Sequence, residues 1–284
     1  MSITVHTPAK VNLFLKVKGK RQDGYHELLT VFQSVDLCDT LYISLNGSGI
    51  NITAPEHIPQ HHGNLAYSAA KAFYASTGLR SGVSIALKKT IPVEAGLGGG
   101  SSDAAAVLRA LNMLYHQPLT DAQMRHLASQ LGSDVSFFLY GGMAVGKGRG
   151  EIIEPLPDVL PLWFRLVKPP FGLSTPLVYA NWDGTSHADW KEFWQSLKGP
   201  VEGLRLFNDL EAPAVRIRPE LSSLKSQLLQ NGAVQALLSG SGSTVFGVYI
   251  QQPDIDMTLP EGYRQWTVRA LSRAEMGREC NILG

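Results

Sequence analysis

The sequence contains little cysteine, little net charge and no long apolar run. Only Cys38 and Cys280 are present, too few for a disulfide framework, which favours a reducing compartment. The formal net charge of +1 gives no reason to expect nucleic acid or an anionic membrane as a partner. No apolar stretch could span a bilayer, and the N-terminal MSITVHTPAK lacks the apolar segment of a secretory signal. We therefore expect a cytoplasmic protein with no nucleic-acid or membrane partner.

In other respects the composition is that of an ordinary globular protein. Of the 284 residues, 44 % are apolar and 17 % are charged. This length allows one large domain or two, with a sizeable buried core in either case. Function therefore has to be sought in individual motifs.

The stretch 92–105, PVEAGLGGGSSDAA, is the most informative motif. Alternating apolar residues at 83–87 predict a half-buried strand before it, and apolar residues spaced three and four apart at 107–115 predict a helix after it. We expect Ser101 or Ser102 to cap that helix. Such an arrangement can bind phosphate, because backbone N–H groups and the helix dipole face the anion. The alternative, a connector that only needs positive φ angles, is disfavoured by four glycines in five positions.

The spacing of this loop separates it from two common nucleotide-binding loops. No Gly-Lys-Ser/Thr follows the glycines, as it would in a Walker A loop. GLGGGS also breaks the G-x-G-x-x-G spacing, and no acidic residue ends a second strand about 20 residues later, which argues against a dinucleotide oxidoreductase. The loop resembles that of the GHMP kinases, the small-molecule kinases that include galactokinase, homoserine kinase and mevalonate kinase. TPAKVNLFL at 7–15 and SGSGS at 239–243 resemble the first and third motifs of that family.

The resemblance implies an α+β fold with two domains. Residues 1–155 would form an N-terminal GHMP kinase domain with a ribosomal-protein-S5-like sheet and the phosphate loop. Residues 156–284 would form a ferredoxin-like C-terminal domain, with the active site in the cleft between the two. The passage between the halves is rich in proline, at Pro155, Pro157, Pro161, Pro169 and Pro170. From the residues alone we also expect a hairpin of 41–45 with 50–53 across Asn46-Gly47, and a strand, glycine turn and strand at 233–249.

The resemblance also implies ATP as co-substrate, with Mg²⁺. In the family an asparagine at the place of Asn64 lies near the adenine pocket. Backbone groups of the loop would hold the phosphates. The expected ATP-binding residues are thus Asn64, Pro92, Val93, Glu94, Ala95, Gly96, Leu97, Gly98, Gly99, Gly100, Ser101 and Ser102.

Two residues match the catalytic positions of the family. Asp134, in GSDVSFFL, would take the proton of the acceptor hydroxyl, and Lys10 would keep that carboxylate ionised and offset charge on the transferring group. Without the resemblance, we would interpret Lys10 as a solvated charge and Asp134 as a helix N-cap. The resemblance favours the catalytic roles for both.

The segment DGYHEL at 23–28 resembles the branch of the family whose acceptor substrate is a cytidine diphosphate polyol. We expect the cytosine to stack between Phe32 and Tyr179, with Tyr25 closing the side. A neutral His26 can read the 4-amino group and N3, because it carries one donor and one acceptor nitrogen. The expected substrate-binding residues are Asn12, Tyr25, His26, Phe32, Thr175, Tyr179, Gly240 and Ser241.

Other functions remain as alternatives at this point. One is another GHMP kinase, and another is a nucleotide-binding regulatory protein, whose mark would be a missing Lys10 or Asp134. No residues are assigned as metal ligands: His57, His61 and His62 lie in a loop without carboxylate or cysteine at ligand spacing, and the direct ligands of Mg²⁺ have no signature in the sequence. The oligomeric state has no signature in the sequence, and the tail from Gln251 carries no motif.

Overall fold

The computed structural model of the chain describes residues 1–80, 82–158 and 162–279. Cys280 and Pro161 lie outside the described residues. The strands are β1 (Ser2–Lys20), β2 (His26–Asn46), β3 (Ile50–Thr53), β4 (Gly82–Lys88), β5 (Met143–Gly148), β6 (Ile152–Pro155), β7 (Trp163–Lys168), β8 (Phe207–Asn208), β9 (Gln235–Leu238), β10 (Val245–Tyr249) and β11 (Arg264–Arg269). The helices are α1 (Leu65–Thr77), α2 (Gly99–Leu114), α3 (Asp121–Leu131), α4 (Ser133–Phe138), α5 (Thr175–Ala180), α6 (Trp190–Ser196), α7 (Glu211–Ile217), α8 (Glu220–Gln230) and α9 (Arg273–Glu279).

The long antiparallel pair of β1 and β2 forms the centre of the first sheet. Its main strand order is β3-β4-β2-β1-β8. Because β2 has 21 residues, its C-terminal part pairs with β4 while its N-terminal part pairs with β5, and β6 follows β5. Val11 and Leu13 lie in β1, and both residues are fully buried.

The hairpin predicted for 41–45 and 50–53 is wrong. β3 does not pair with β2; it runs parallel to β4, with Ile50 opposite Val83. The reason is that β4 pairs with the edge of β2 over Thr40–Asn46, so β3 pairs with the far edge of β4. The N–H of Val83 donates to the carbonyl of Gly49 at 2.9 Å, which fixes this arrangement directly after the turn.

The second sheet is antiparallel, with strand order β11-β7-β10-β9. It contains the predicted strand, glycine turn and strand as β9 and β10. The short β8 joins the first sheet, pairing in parallel with Phe14 and Leu15 of β1. The two sheets and their helices confirm an α+β fold, and the segment connecting β9 to β10 is brought to the edge of the first sheet.

Several helices begin at a polar side chain that caps the first turn. The Asn64 side chain accepts the N–H of Ala66 at the start of α1. Thr120 and Gln123 form a capping box at the start of α3, and Gly132 is its C-cap. Within the described ranges, no helix is long and apolar enough to cross a membrane.

Candidate active site

The phosphate loop leads into α2 earlier than expected. The predicted cap at Ser101 or Ser102 is wrong, because Gly98 is the N-cap, with φ +71°, and Gly99 is already helical. The N–H of Ser102 donates to the Gly98 carbonyl at 2.9 Å, so Ser102 belongs to the first turn. The helix N–H groups without an internal acceptor therefore lie among the glycines, where no side chain limits the approach of an anion.

The glycines of the loop are held closely between both halves of the molecule. A Cβ at Gly98 would lie 2.9 Å from the Phe138 ring, and one at Gly96 would lie 2.1 Å from the carbonyl oxygen of Ser239. The Ser239 hydroxyl donates to the Gly96 carbonyl at 2.9 Å. The N–H of Lys10 donates to the carbonyl of Leu97 at 3.0 Å. The first and third motifs thus meet on the loop.

Beneath the loop lies a buried ionic cluster that sequence reasoning missed. The Lys89 ammonium contacts the carboxylates of both Asp39 and Asp103, and Asp103 also accepts the Thr7 hydroxyl at 2.7 Å. Asp39 accepts the N–H of Ile91 at 2.8 Å. Burial raises the pKa of Asp103 to about 6, opposed by the Lys89 charge. The cluster joins the start of the loop, the start of α2 and β2. Asp103, the one acidic residue of α2, was its signal in the sequence.

The predicted catalytic residues lie together at one end of a cleft of about 780 Å³. The Lys10 ammonium donates to Asn12 Oδ1 at 2.6 Å and lies 3.5 Å from Asp134 Oδ2. The Lys10 side chain is only 4 % exposed, whereas that of Asp134 is 32 % exposed. Asp134 does not cap α4; Gly132 is the N-cap, and the Asp134 carboxylate faces Lys10. A fixed cation beside an accessible carboxylate is suited to removing a proton from a bound hydroxyl.

All eight predicted acceptor-binding residues line the same cleft. Lys10, Asn12, Tyr25, His26, Phe32 and Asp134 line it from the first half, and Thr175, Tyr179, Gly240 and Ser241 from the second. The hydroxyls of Thr175 and Ser241 lie 2.7 Å apart, which links α5 to the segment connecting β9 and β10.

The residues predicted to bind ATP divide into two groups. Glu94, Gly96 and Gly98 line the cleft. The others form the body of the loop: Pro92, Ala95, Leu97, Gly99 and Ser102 are buried, Ser101 is half-buried, and Val93 and Gly100 are exposed. Asn64 is used as the cap of α1 and donates to the Pro59 carbonyl at 2.7 Å. Its neighbour Leu65 lies beside Gly100, so the start of α1 is next to the loop.

Another part of the cleft is aromatic. His26 stacks on Tyr179 with ring centroids 4.8 Å apart. Burial lowers the pKa of His26, assisted by the positive charge of Lys20, and so favours a neutral imidazole. Burial, together with the charge of Asp134, raises the pKa of Tyr179, whose phenol stays protonated.

Phe32 lies elsewhere than the expected cytosine stack requires. Its ring packs on Phe137 at 4.8 Å and lies 5.6 Å from the Lys10 ammonium, so it belongs to the reaction end of the cleft. The ring that faces Tyr179 is His26 instead. Within the described part of the chain, no group of three or more His, Cys, Asp or Glu side chains could hold a metal ion.

Comparison with known proteins gives consistent matches. The GHMP kinases N terminal domain matches residues 64–142, and the GHMP kinases C terminal domain matches residues 195–256. A 4-diphosphocytidyl-2-C-methyl-D-erythritol kinase of Syntrophomonas wolfei is 42 % identical over 258 residues, covering 88 % of this chain and 90 % of its own. A protein of the same name from Moorella thermoacetica is 44 % identical over 256 residues, covering 87 % and 90 %. The chain belongs to the GHMP kinase family.

Solved structures of GHMP kinases agree. The crystal structure of a 4-(cytidine 5'-diphospho)-2C-methyl-D-erythritol kinase superposes with a TM-score of 0.79 at 35 % identity, covering 94 % of this chain and 98 % of that one. A homoserine kinase from Cytophaga hutchinsonii, at 20 % identity and a TM-score of 0.67, shares the fold. The resemblance and the fold class expected from the sequence are both confirmed. Because the chain is a GHMP kinase, the alternative function as a dinucleotide oxidoreductase is excluded. The mark of an inactive relative is also missing, because Lys10 and Asp134 are present and in contact.

Proposed function

We propose that this GHMP kinase transfers the γ-phosphoryl group of ATP to the 2-hydroxyl of 4-diphosphocytidyl-2-C-methyl-D-erythritol, on the non-mevalonate route to isoprenoid precursors. The observation that carries the proposal is one cleft lined by both the Lys10–Asp134 pair and the His26–Tyr179 stack. An acceptor with a reactive alcohol and a distant planar base fits such a cleft. The names of the relatives that are more than 40 % identical support the same substrate.

In this mechanism Asp134 accepts the proton of the attacking hydroxyl. Lys10 holds the carboxylate in place and offsets negative charge on the transferring group. Lys10 is itself oriented by Asn12, whose amide donates to the Thr30 hydroxyl at 2.8 Å. Phosphoryl transfer needs little covalent chemistry from the protein, so this positioning accounts for most of the rate.

The nucleotide phosphates bind at the start of α2. Backbone N–H groups of the loop donate to them, and the helix dipole adds a favourable field. Mg²⁺ in kinases is typically held by one or two carboxylates and the phosphates of the substrate. The Glu94 carboxylate fits this, because it lies in the phosphate loop and lines the cleft. Bound there, the ion would neutralise charge on the phosphates.

The proposal extends to the division of the chain and to its location. Strands β1 to β6 all belong to the first sheet and end at Pro155, and the second sheet begins with β7 at Trp163. This supports domains of 1–155 and 156–284, with β8 as a strand of the second half that joins the first sheet. We place the enzyme in the cytoplasm, where ATP and polar nucleotidyl intermediates occur, with these small molecules as its partners and no nucleic acid.

A substrate panel tests the proposed function. The purified chain is incubated with ATP, Mg²⁺ and one alcohol at a time: the cytidine diphosphate methylerythritol, its uridine analogue, the free methylerythritol phosphate, homoserine and mevalonate. Products are identified by mass spectrometry and ³¹P NMR. We expect phosphorylation of the cytidine compound with the highest kcat/KM. Preferential phosphorylation of homoserine or mevalonate would contradict the proposal and favour another GHMP kinase activity.

A further inference from the structure

The turn between β5 and β6 has a rigid backbone around one arginine. Gly148 and Gly150 flank Arg149 with φ angles of +70° and +107°, a region that favours glycine. The Glu151 carboxylate accepts the N–H of Arg149 at 2.6 Å. It also lies 3.7 Å from the Nε atom of the same arginine. This turn therefore fixes the backbone and the first part of the Arg149 side chain.

The Arg149 side chain extends along the cleft. Its backbone neighbour Gly150 is beside Phe32 and Ser133, at the reaction end. Its guanidinium lies 4.8 Å from the centre of the Tyr25 ring, at the base end. Arg149 lines the cleft, and its side chain is 27 % exposed. Arg149 thus reaches from the neighbourhood of Phe32 and Ser133 to Tyr25, with its cationic group beside Tyr25.

The charges around the cleft engage this cation only in part, through Glu151 at Nε and through the nearby Asp23. Lys10 is engaged by Asp134 and Asn12. Arg149 donates from Nη2 to the Ser129 carbonyl at 3.3 Å, and among the described residues the structure shows no protein acceptor for its Nη1. Guanidinium groups offer several donors in a fixed plane and bind phosphate oxygens well.

We propose that Arg149 binds the diphosphate of the acceptor substrate and so selects a nucleotidyl polyol over a free polyol. This inference rests on the proposed function, which places the alcohol at Asp134 and the base at His26. The diphosphate connects those two parts of the substrate, so it has to cross the region where the guanidinium lies. Stacking on Tyr25 holds the guanidinium there and limits its loss of side-chain freedom on binding.

The test compares CDP with cytidine as ligands. Both are titrated calorimetrically into the protein with a saturating non-hydrolysable ATP analogue, so that CDP reports on the acceptor site. Arg149→Met keeps an apolar stem on Tyr25 without the charge, and Arg149→Lys restores the charge. Lys147→Ala is the matched control, because Lys147 is on the same hairpin and pairs with Glu154 outside the cleft. We expect Arg149→Met to weaken CDP roughly 10- to 100-fold and cytidine little, with partial recovery in Arg149→Lys and no change in the control.

Steady-state kinetics supply a second measurement. In Arg149→Met the KM for the cytidine diphosphate polyol should rise by a similar factor, while the KM for ATP stays within about twofold and kcat falls little. An unchanged CDP-to-cytidine affinity ratio would overturn the inference. Equal weakening of both ligands would also overturn it, since Arg149 would then act by shaping the base site. A different result would contradict the proposed function: a wild-type enzyme that does not phosphorylate the cytidine substrate.

Discussion

The Lys10 ammonium and the Asp134 carboxylate lie 3.5 Å apart, and the two side chains differ sharply in exposure. Lys10 is enclosed and held by Asn12, and Asn12 is held in turn by Thr30, which donates to the Phe14 carbonyl at 2.7 Å. The strands of the first sheet therefore fix the cation, while the carboxylate on α4 remains open to the cleft. Each partner has a testable role.

Asp134→Asn should lower kcat roughly 10²- to 10⁴-fold while leaving ATP affinity nearly unchanged. The amide keeps the shape of the side chain but cannot accept the proton. Folding should be unaffected, because Asp134 does not cap α4. Stopped-flow turnover and ATP titration measure the two quantities, and a thermal melt is the control. If the variant keeps near-normal kcat, Asp134 only positions the substrate.

Lys10→Met should also lower kcat, since it removes the cation, which lies over the Phe32 ring, and keeps most of the apolar stem. Residues that act as a unit have non-additive effects, so the double variant with Asp134→Asn should be little slower than the more damaged single variant. Steady-state rates of all four proteins complete the cycle. Strictly additive losses would show that the two groups work independently.

The sequence revealed the site motifs better than their surroundings. Each of the three motifs is a contiguous stretch, so the chemistry of residues such as Gly98 and Asp134 could be read locally. The pairing of β3 with β4 could not, because Ile50 and Val83 meet only after a helix has intervened. The Lys89 cluster could not be predicted locally either, because its members come from four distant parts of the chain. Phe32 was misplaced for a similar reason: its alternation in β2 predicts a buried face, while the neighbour on that face comes from α4.

The buried Asp103 makes stability depend on pH in a defined direction. Its pKa is raised from 3.8 to about 6 in the folded protein, so the folded state binds more protons than the unfolded state between about pH 4 and 6. The free energy of unfolding contributed by this group therefore falls as pH rises through that window. Asp103→Asn removes this term and keeps an acceptor for Thr7. The free energy of unfolding of this variant, measured relative to that of wild type, should therefore rise by roughly 1 kcal/mol from pH 5 to pH 7.5. Urea unfolding at both pH values measures it, and a constant difference would contradict the assignment.

Two glycines of the loop provide a matched pair. Gly98→Ala should destabilise the protein and raise the Kd for ATP about 10-fold or more, because a Cβ there meets Phe138 at 2.9 Å and φ is +71°. Gly100→Ala should be stabilising by roughly 0.5 kcal/mol, since a Cβ there meets only Leu65 at 3.8 Å within the helix. Denaturant melts and nucleotide titration compare them. Wild-type ATP affinity in Gly98→Ala would refute the phosphate-loop assignment.

The protonation state of His26 should decide whether the enzyme distinguishes cytidine from uridine. Stacking on an aromatic ring cannot separate the two bases, whereas a neutral imidazole, with one donor and one acceptor, can read the 4-amino group and N3 of cytosine. Burial and the Lys20 charge lower the pKa of His26, so selectivity should persist at neutral pH and fall only when acid protonates the ring. Lys20→Met removes a cation, so the pKa of His26 rises and selectivity is lost at a higher pH than in wild type.

His26→Ala should narrow the cytidine–uridine ratio of kcat/KM at every pH, mainly by losing cytidine, and Tyr179→Ala should weaken both substrates alike. Ratios measured from pH 5 to 8 test all three variants. A ratio in Lys20→Met that follows the wild-type pH curve would show that His26 does not read the base.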